Sequence, residues 1–189
     1  MLKRYNIFII LLFLSFPVNL FGGENWKQLK TKYTVVFYRE GNALEEFERK
    51  LKMGVVSGLF MISEESKDLS ITLLQRKIDR IFERDQELLN VSNTMNRINI
   101  ILHATQKEVA QAYLDISKKY KMDPSGHQKH IAFYVHNEKT VYVSLEKVTE
   151  GVLAHEFRHA ILDHHLIVPP PKVVGELVAR YLERNLKRW

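Results

Sequence analysis

The sequence predicts a single α+β domain. Three observations point to it: strand-like and helix-like segments follow one another without strict alternation, a two-strand hairpin stands just ahead of the last helices, and three consecutive prolines, Pro169 to Pro171, separate those helices. The size agrees, because 189 residues at 46% hydrophobic composition fill one core and fall short of two.

The first stretch, "MLKRYNIFIILLFLSFPVNLFGG", has the plan of a secretory signal peptide. A basic start at Lys3 and Arg4 precedes an apolar run from Ile7 to Phe16, then Pro17 and the small residues Gly22 and Gly23. Residues 1–22 are read as the signal and 23–189 as the domain. The apolar run is shorter than the roughly 20 residues of a membrane span. The chain is therefore expected to be exported, to a periplasm or beyond, with no stable span after cleavage; a retained N-terminal anchor is the alternative. Cysteine is absent, which excludes disulfides, thiol nucleophiles and cysteine zinc sites, so any metal must be held by His, Asp or Glu.

"KYTVVFY", Lys32 to Tyr38, is β-branched and aromatic and reads as a strand, with "REGN" turning after it. Asn42 is placed to cap a helix whose apolar residues Leu44, Phe47, Leu51, Val55 and Leu59 recur at helical spacing. From Asp68 to Leu89, the residues Leu74, Ile78, Ile81, Phe82, Leu88 and Leu89 mark the inner face of a second helix. "RINIILHA", Arg97 to Ala104, is another strand, and Thr105 opens a helix that ends at Asp123-Pro124. "HIAFYVH" and "TVYVSL" form a hairpin across "NEK". Thr149 caps the helix that follows, from about Glu150 to Asp163. Past the prolines, "VVGELVARYLERNLK" is a last helix with Val174, Leu177, Val178, Tyr181, Leu182 and Leu186 expected to face inward.

The formal charge is +6, from 28 basic and 22 acidic residues, and +4 without Lys3 and Arg4. The charges are interleaved, as in "RKIDRIFERDQE", which suits solvated helix faces and gives no reason to expect a nucleic-acid partner.

Chemistry concentrates in "GVLAHEFRHAILDHH". His155, Glu156 and His159 satisfy H-E-x-x-H on an expected helix. Residues four apart share a helical face, so both imidazoles can reach one zinc ion, while Glu156 projects toward the water there as general base. Three residues compete to be the third ligand. Asp163 lies eight positions beyond His155, about 12 Å along a straight helix, which suits an outer acceptor or a surface charge better than a ligand. His165 has the spacing of H-E-x-x-H-x-x-G-x-x-H, but Leu162 stands where the turn-forming glycine belongs. Glu176, delivered from an antiparallel helix past the prolines, completes a two-His, one-Glu set and leaves a position open, and it is favoured.

"VLAHEFRHAILDHH" followed by "PPPKVVGELVARYLE" resembles the gluzincin metallopeptidases, in particular the small bacterial peptidase-MA-like proteins. There a zinc helix is followed by a proline-led turn and a helix reading roughly E-G-L-A-E-Y, on which Glu176 and Tyr181 match the first glutamate and the tyrosine. The resemblance covers about Val141 to Glu183. It implies a zincin-like fold, with a small mixed sheet whose edge hairpin packs on the H-E-x-x-H helix and a C-terminal helix. It implies one zinc held by His155, His159 and Glu176, Glu156 as general base, and hydrolysis of peptide bonds. It also implies that an edge strand, Thr140 to Ser144, pairs with a peptide or protein substrate. Tyr181, with His164, His165 and His127, is a candidate to stabilise the oxyanion. The alternative is a zincin-like domain of the cell envelope that binds peptide or a partner without cleaving it.

Overall fold

Five strands make one mixed sheet in the computed structural model, which describes residues 26–39, 41–51, 64–91, 95–125, 129–166, 174–178 and 180–181. The signal segment, His127, Val55, Leu59, Leu182 and Leu186 lie outside those residues. In chain order the elements are β1 (Lys27–Lys30), β2 (Thr34–Tyr38), α1 (Ala43–Lys50), α2 (Glu64–Leu89), β3 (Ile98–His103), α3 (Gln106–Tyr120), β4 (Ala132–Val135), β5 (Thr140–Ser144) and α4 (Glu150–His165). The sheet order is β1-β2-β3-β5-β4, with β2, β3 and β5 parallel and the two outer strands antiparallel. The α+β expectation holds.

Alternation along the strands divides the core into two layers. On one face, Val36, Ile98, Ile100, Leu102, Val141 and Val143 meet Phe47, α2 and α4. On the other, Ile101, Phe133, Val135 and Tyr142 meet Val109, Tyr113 and Ile116 of α3. The helix ends follow local chemistry. Thr105 accepts from the Glu108 N–H at the start of α3, and Thr149 accepts from the Val152 N–H at the start of α4. Asn42, expected to cap α1, makes no side-chain cap bond there; its carbonyl accepts from Glu46 instead. Leu88, expected inside, is exposed near the end of α2.

Three further differences matter for the site. β1 has no sequence signature, since "KQLK" carries a single apolar residue and is legible only as a partner of β2. Thr140–Ser144 is not an edge strand. It lies between β3 and β4 with all five residues buried, because the hairpin folds its second strand into the sheet and leaves β4 at the rim. The last helix does not turn its apolar stripe inward. Val174, Leu177 and Tyr181 are 45%, 62% and 68% exposed, while Gly175 is buried and Val178 half-buried. The side toward the core is the one with the small residue and Glu176, so packing there favours close approach over apolar area.

α2 and α4 are joined by a buried ion pair in which Arg158 donates to Asp85 at 2.8 Å, with both side chains almost fully enclosed. Burial pushes the Asp85 carboxyl up to about 6, against the pull of the Arg158 guanidinium.

Candidate metal centre

His155 and His159 stand one turn apart on α4, and their Nε2 atoms are 3.1 Å from each other. Glu176 reaches them from residues 174–178. One of its carboxylate oxygens lies 3.6 Å from His155 Nε2 and the other 3.5 Å from His159 Nε2. A tetrahedral zinc with bonds of about 2.0–2.1 Å places its ligand atoms roughly 3.3 Å apart. Each histidine has a different carboxylate oxygen near that spacing, and with one donor atom taken per residue the three lie within 4.8 Å of one another, a donor set that zinc accepts. Among the described residues, this is the one group of three or more metal-ligating side chains whose donor atoms gather within 4.8 Å. Glu176 also lies 4.0 Å from Arg180, an exposed pair of little energetic weight.

α4 can hold these rings because the rest of it is anchored. Leu153, Phe157, Ala160 and Ile161 are fully buried against the sheet, and Arg158 is tied to α2. His155 and His159 fall on the part of the helix that the core leaves partly open. Glu156 sits between them and the edge strand, only 7% exposed, and accepts a hydrogen bond from the backbone N–H of Tyr134. Burial pushes its carboxyl up to about 8, the nearby Glu176 charge adds to the rise, and the Tyr134 N–H opposes it. That balance belongs to the protein without metal; a divalent cation on the triangle favours the ionised carboxylate.

The edge strand's pattern explains why Tyr134 can serve. Ser144 donates to the Ile131 carbonyl at 2.9 Å. With the register Ala132↔Val143 and Tyr134↔Val141, this turns the backbone groups of Ala132 and Tyr134 away from β5. Tyr134 is thus bound at both ends, its N–H to Glu156 and its hydroxyl to Asp163 at 2.8 Å. Beside Ala132 an open groove of about 290 Å³ lies between the start of β4 and the start of α4, with His155 and Glu156 in its wall.

The other sequence candidates fall elsewhere. Asp163 is buried beneath the hairpin, where it accepts from Tyr134, contacts His136 and lies 3.8 Å from Lys139. It ties the hairpin to α4. His165 packs edge-to-face on His164, outside the triangle. Tyr181 is on the outward side of the last helix, with Leu177. Two participants had no sequence signal: Tyr134, whose role depends on a backbone N–H, and Lys129, which becomes part of the groove only through the fold. Comparison with family models, curated proteins and solved structures finds no match for this chain.

Proposed function

We propose that the chain is an exported zinc-dependent peptidase of the gluzincin type on a zincin-like fold. One zinc is held by His155, His159 and Glu176, with Glu156 as general base. The observation that carries this reading is the ligand triangle, which gathers two imidazoles and a carboxylate with donor atoms within 4.8 Å of one another and has a second, buried carboxylate beside it. When bound, zinc supplies Lewis acidity to a carbonyl and to a water molecule. Glu156 is placed to accept the proton of an attacking water and to return it to the leaving amine. Its side chain lines the groove.

The peptide strand pairs with β4, where the backbone groups of Ala132 face outward, and not with Thr140–Ser144. Among the described residues, no helix is long and apolar enough to cross a membrane. The test is elemental analysis of the mature protein together with hydrolysis of a mixed peptide library. The expected result is one zinc per chain. Glu156→Gln should keep the zinc and lose activity by about 10²- to 10⁴-fold, and His155→Ala should lose both. Absence of stoichiometric zinc, or undiminished hydrolysis by Glu156→Gln, overturns the reading.

A further inference from the structure

The groove beside the triangle has a charge pattern of its own. Among the described side chains in its wall, Lys129 is the one full cation and Glu156 the one acid, and the two stand on different elements, Lys129 just ahead of β4 and Glu156 on α4. Glu150, the acid at the start of α4, is turned to Lys77 of α2 and takes no part in the wall. The opposite wall includes Gly151 and Val152, in the first turn of α4, where the helix carries its partial positive charge. Gly151 adds no side chain there. A Cβ built on it meets nothing nearer than Thr149 Oγ1 at 3.9 Å, so this wall is open to a ligand.

Size narrows the occupant. At about 290 Å³ the groove lies at the lower edge of the range for small-molecule sites. It suits about one or two residues of a peptide rather than a long segment.

Resting on the peptidase reading, we propose that this groove selects a carboxylate, with Lys129 as its specificity-determining residue. The substrate residue seated there carries either a free C-terminal carboxylate or an Asp or Glu side chain. The ammonium of Lys129 faces that charge, the start of α4 adds to the attraction, and the backbone of Ala132 holds the adjoining peptide group. The two sources share one chemistry and differ in consequence: the first makes the enzyme cut at chain ends, the second within chains beside acidic residues.

The probe is a pair of small molecules of the same shape, 3-phenylpropanoate and 3-phenylpropanamide. They are titrated by NMR into the mature protein with and without zinc, following backbone amides of residues 129–132 and 151–152. The anion should bind about tenfold tighter, the scale of one charge-assisted hydrogen bond, and should keep that preference in the metal-free protein. Lys129→Met should remove the preference. Gly151→Asp, which has room for its side chain and places a favourable charge on the helix start, should reverse it. Equal binding of the two probes, a preference that survives Lys129→Met, or one that vanishes with the metal would overturn the proposal, the last because the carboxylate then sits on zinc.

Peptide pairs then separate the sources. A gain for free over amidated C-termini identifies chain ends, and a gain for Glu over Gln beside the scissile bond identifies acidic side chains. An intact anion preference without any hydrolysis removes the peptidase reading and leaves the carboxylate seat standing. Hydrolysis with no preference does the opposite.

Discussion

The three candidate ligands come from two very different pieces of the molecule. α4 is capped by Thr149, sealed along Leu153, Phe157 and Ile161, and tied through Arg158 to a carboxylate on α2. The segment bearing Glu176 has a buried glycine on its inner side, and its large apolar residues Val174, Leu177 and Tyr181 face outward. The core therefore fixes the two imidazoles, whereas the carboxylate's position owes less to packing. Such a division suits a site that must be rigid at its chemistry and still assemble around an ion.

The largest effects should come from breaking the rigid side. Asp85→Ala leaves the Arg158 guanidinium buried without its carboxylate, and loss of one partner of a buried pair costs about 3–5 kcal/mol. Denaturant unfolding of the metal-free protein measures this. Replacing both partners with apolar residues, Asp85→Leu with Arg158→Met, should recover most of the loss, because burial already opposes the Asp85 charge. If the double variant is as unstable as the single, the pair is contributing more than mutual compensation.

The opposite profile is expected of Glu176→Ala. Its carboxylate is partly exposed and its neighbours Val174 and Leu177 are exposed, so metal-free stability should change by less than about 1 kcal/mol. Zinc affinity should fall by more than about 100-fold, read by competition with a chromophoric chelator. A large stability loss without metal would mean that the C-terminal segment is anchored as firmly as α4.

How much of this was legible in the sequence follows the same division. H-E-x-x-H can be read because both histidines and the glutamate are fixed by helical geometry within five residues, and Thr149 and Thr105 announce their helices by local hydrogen bonding. Glu176 could be ranked first because it alone combined a carboxylate with a return helix. The strand order could not be read. "TVYVS" and "AFYV" are both apolar hairpin strands, and which of them lies inside depends on β3, some forty residues away in sequence. The inward face of the last helix was misread for a related reason. Its apolar stripe has good helical spacing, yet the partner surface accepts Gly175 and Glu176, which no periodicity signals. Asp85 falls within the charged run that reads as a solvated helix face, and its burial against Arg158 becomes visible only when the two helices are packed together.

Metal removal sharpens the comparison further. On the zinc reading the ion would contact both pieces, and only one is otherwise under-packed, so adding zinc to the metal-free protein should slow amide hydrogen exchange in 174–181 by more than it slows exchange in the buried turns of α4. Equal protection of the two would show that α4 is itself incompletely formed without metal.

A smaller effect is expected where β4 meets α4. Tyr134→Phe removes the hydroxyl bond to Asp163 and leaves the backbone bond to Glu156 in place. A hydrogen bond to a charged group contributes about 1.5–3 kcal/mol, and the remaining contacts of Asp163 with His136 and Lys139 should hold the loss near the lower figure. If the tyrosine merely anchors the rim, stability falls while kcat/KM on a given peptide is unchanged; if it also sets the Glu156 carboxylate, kcat falls with KM constant.

The smallest change should follow Leu177→Gln. The side chain is 62% exposed and adjoins Glu176 without sharing its inner face, so both folding and zinc affinity should stay within about 0.5 kcal/mol of the unsubstituted protein. The substitution also tests the sequence reading that placed Leu177 inside. A core leucine loses about 2–5 kcal/mol when truncated, and a drop of that size in thermal unfolding would return the apolar stripe to the interior and, with it, rotate Glu176 away from the histidines.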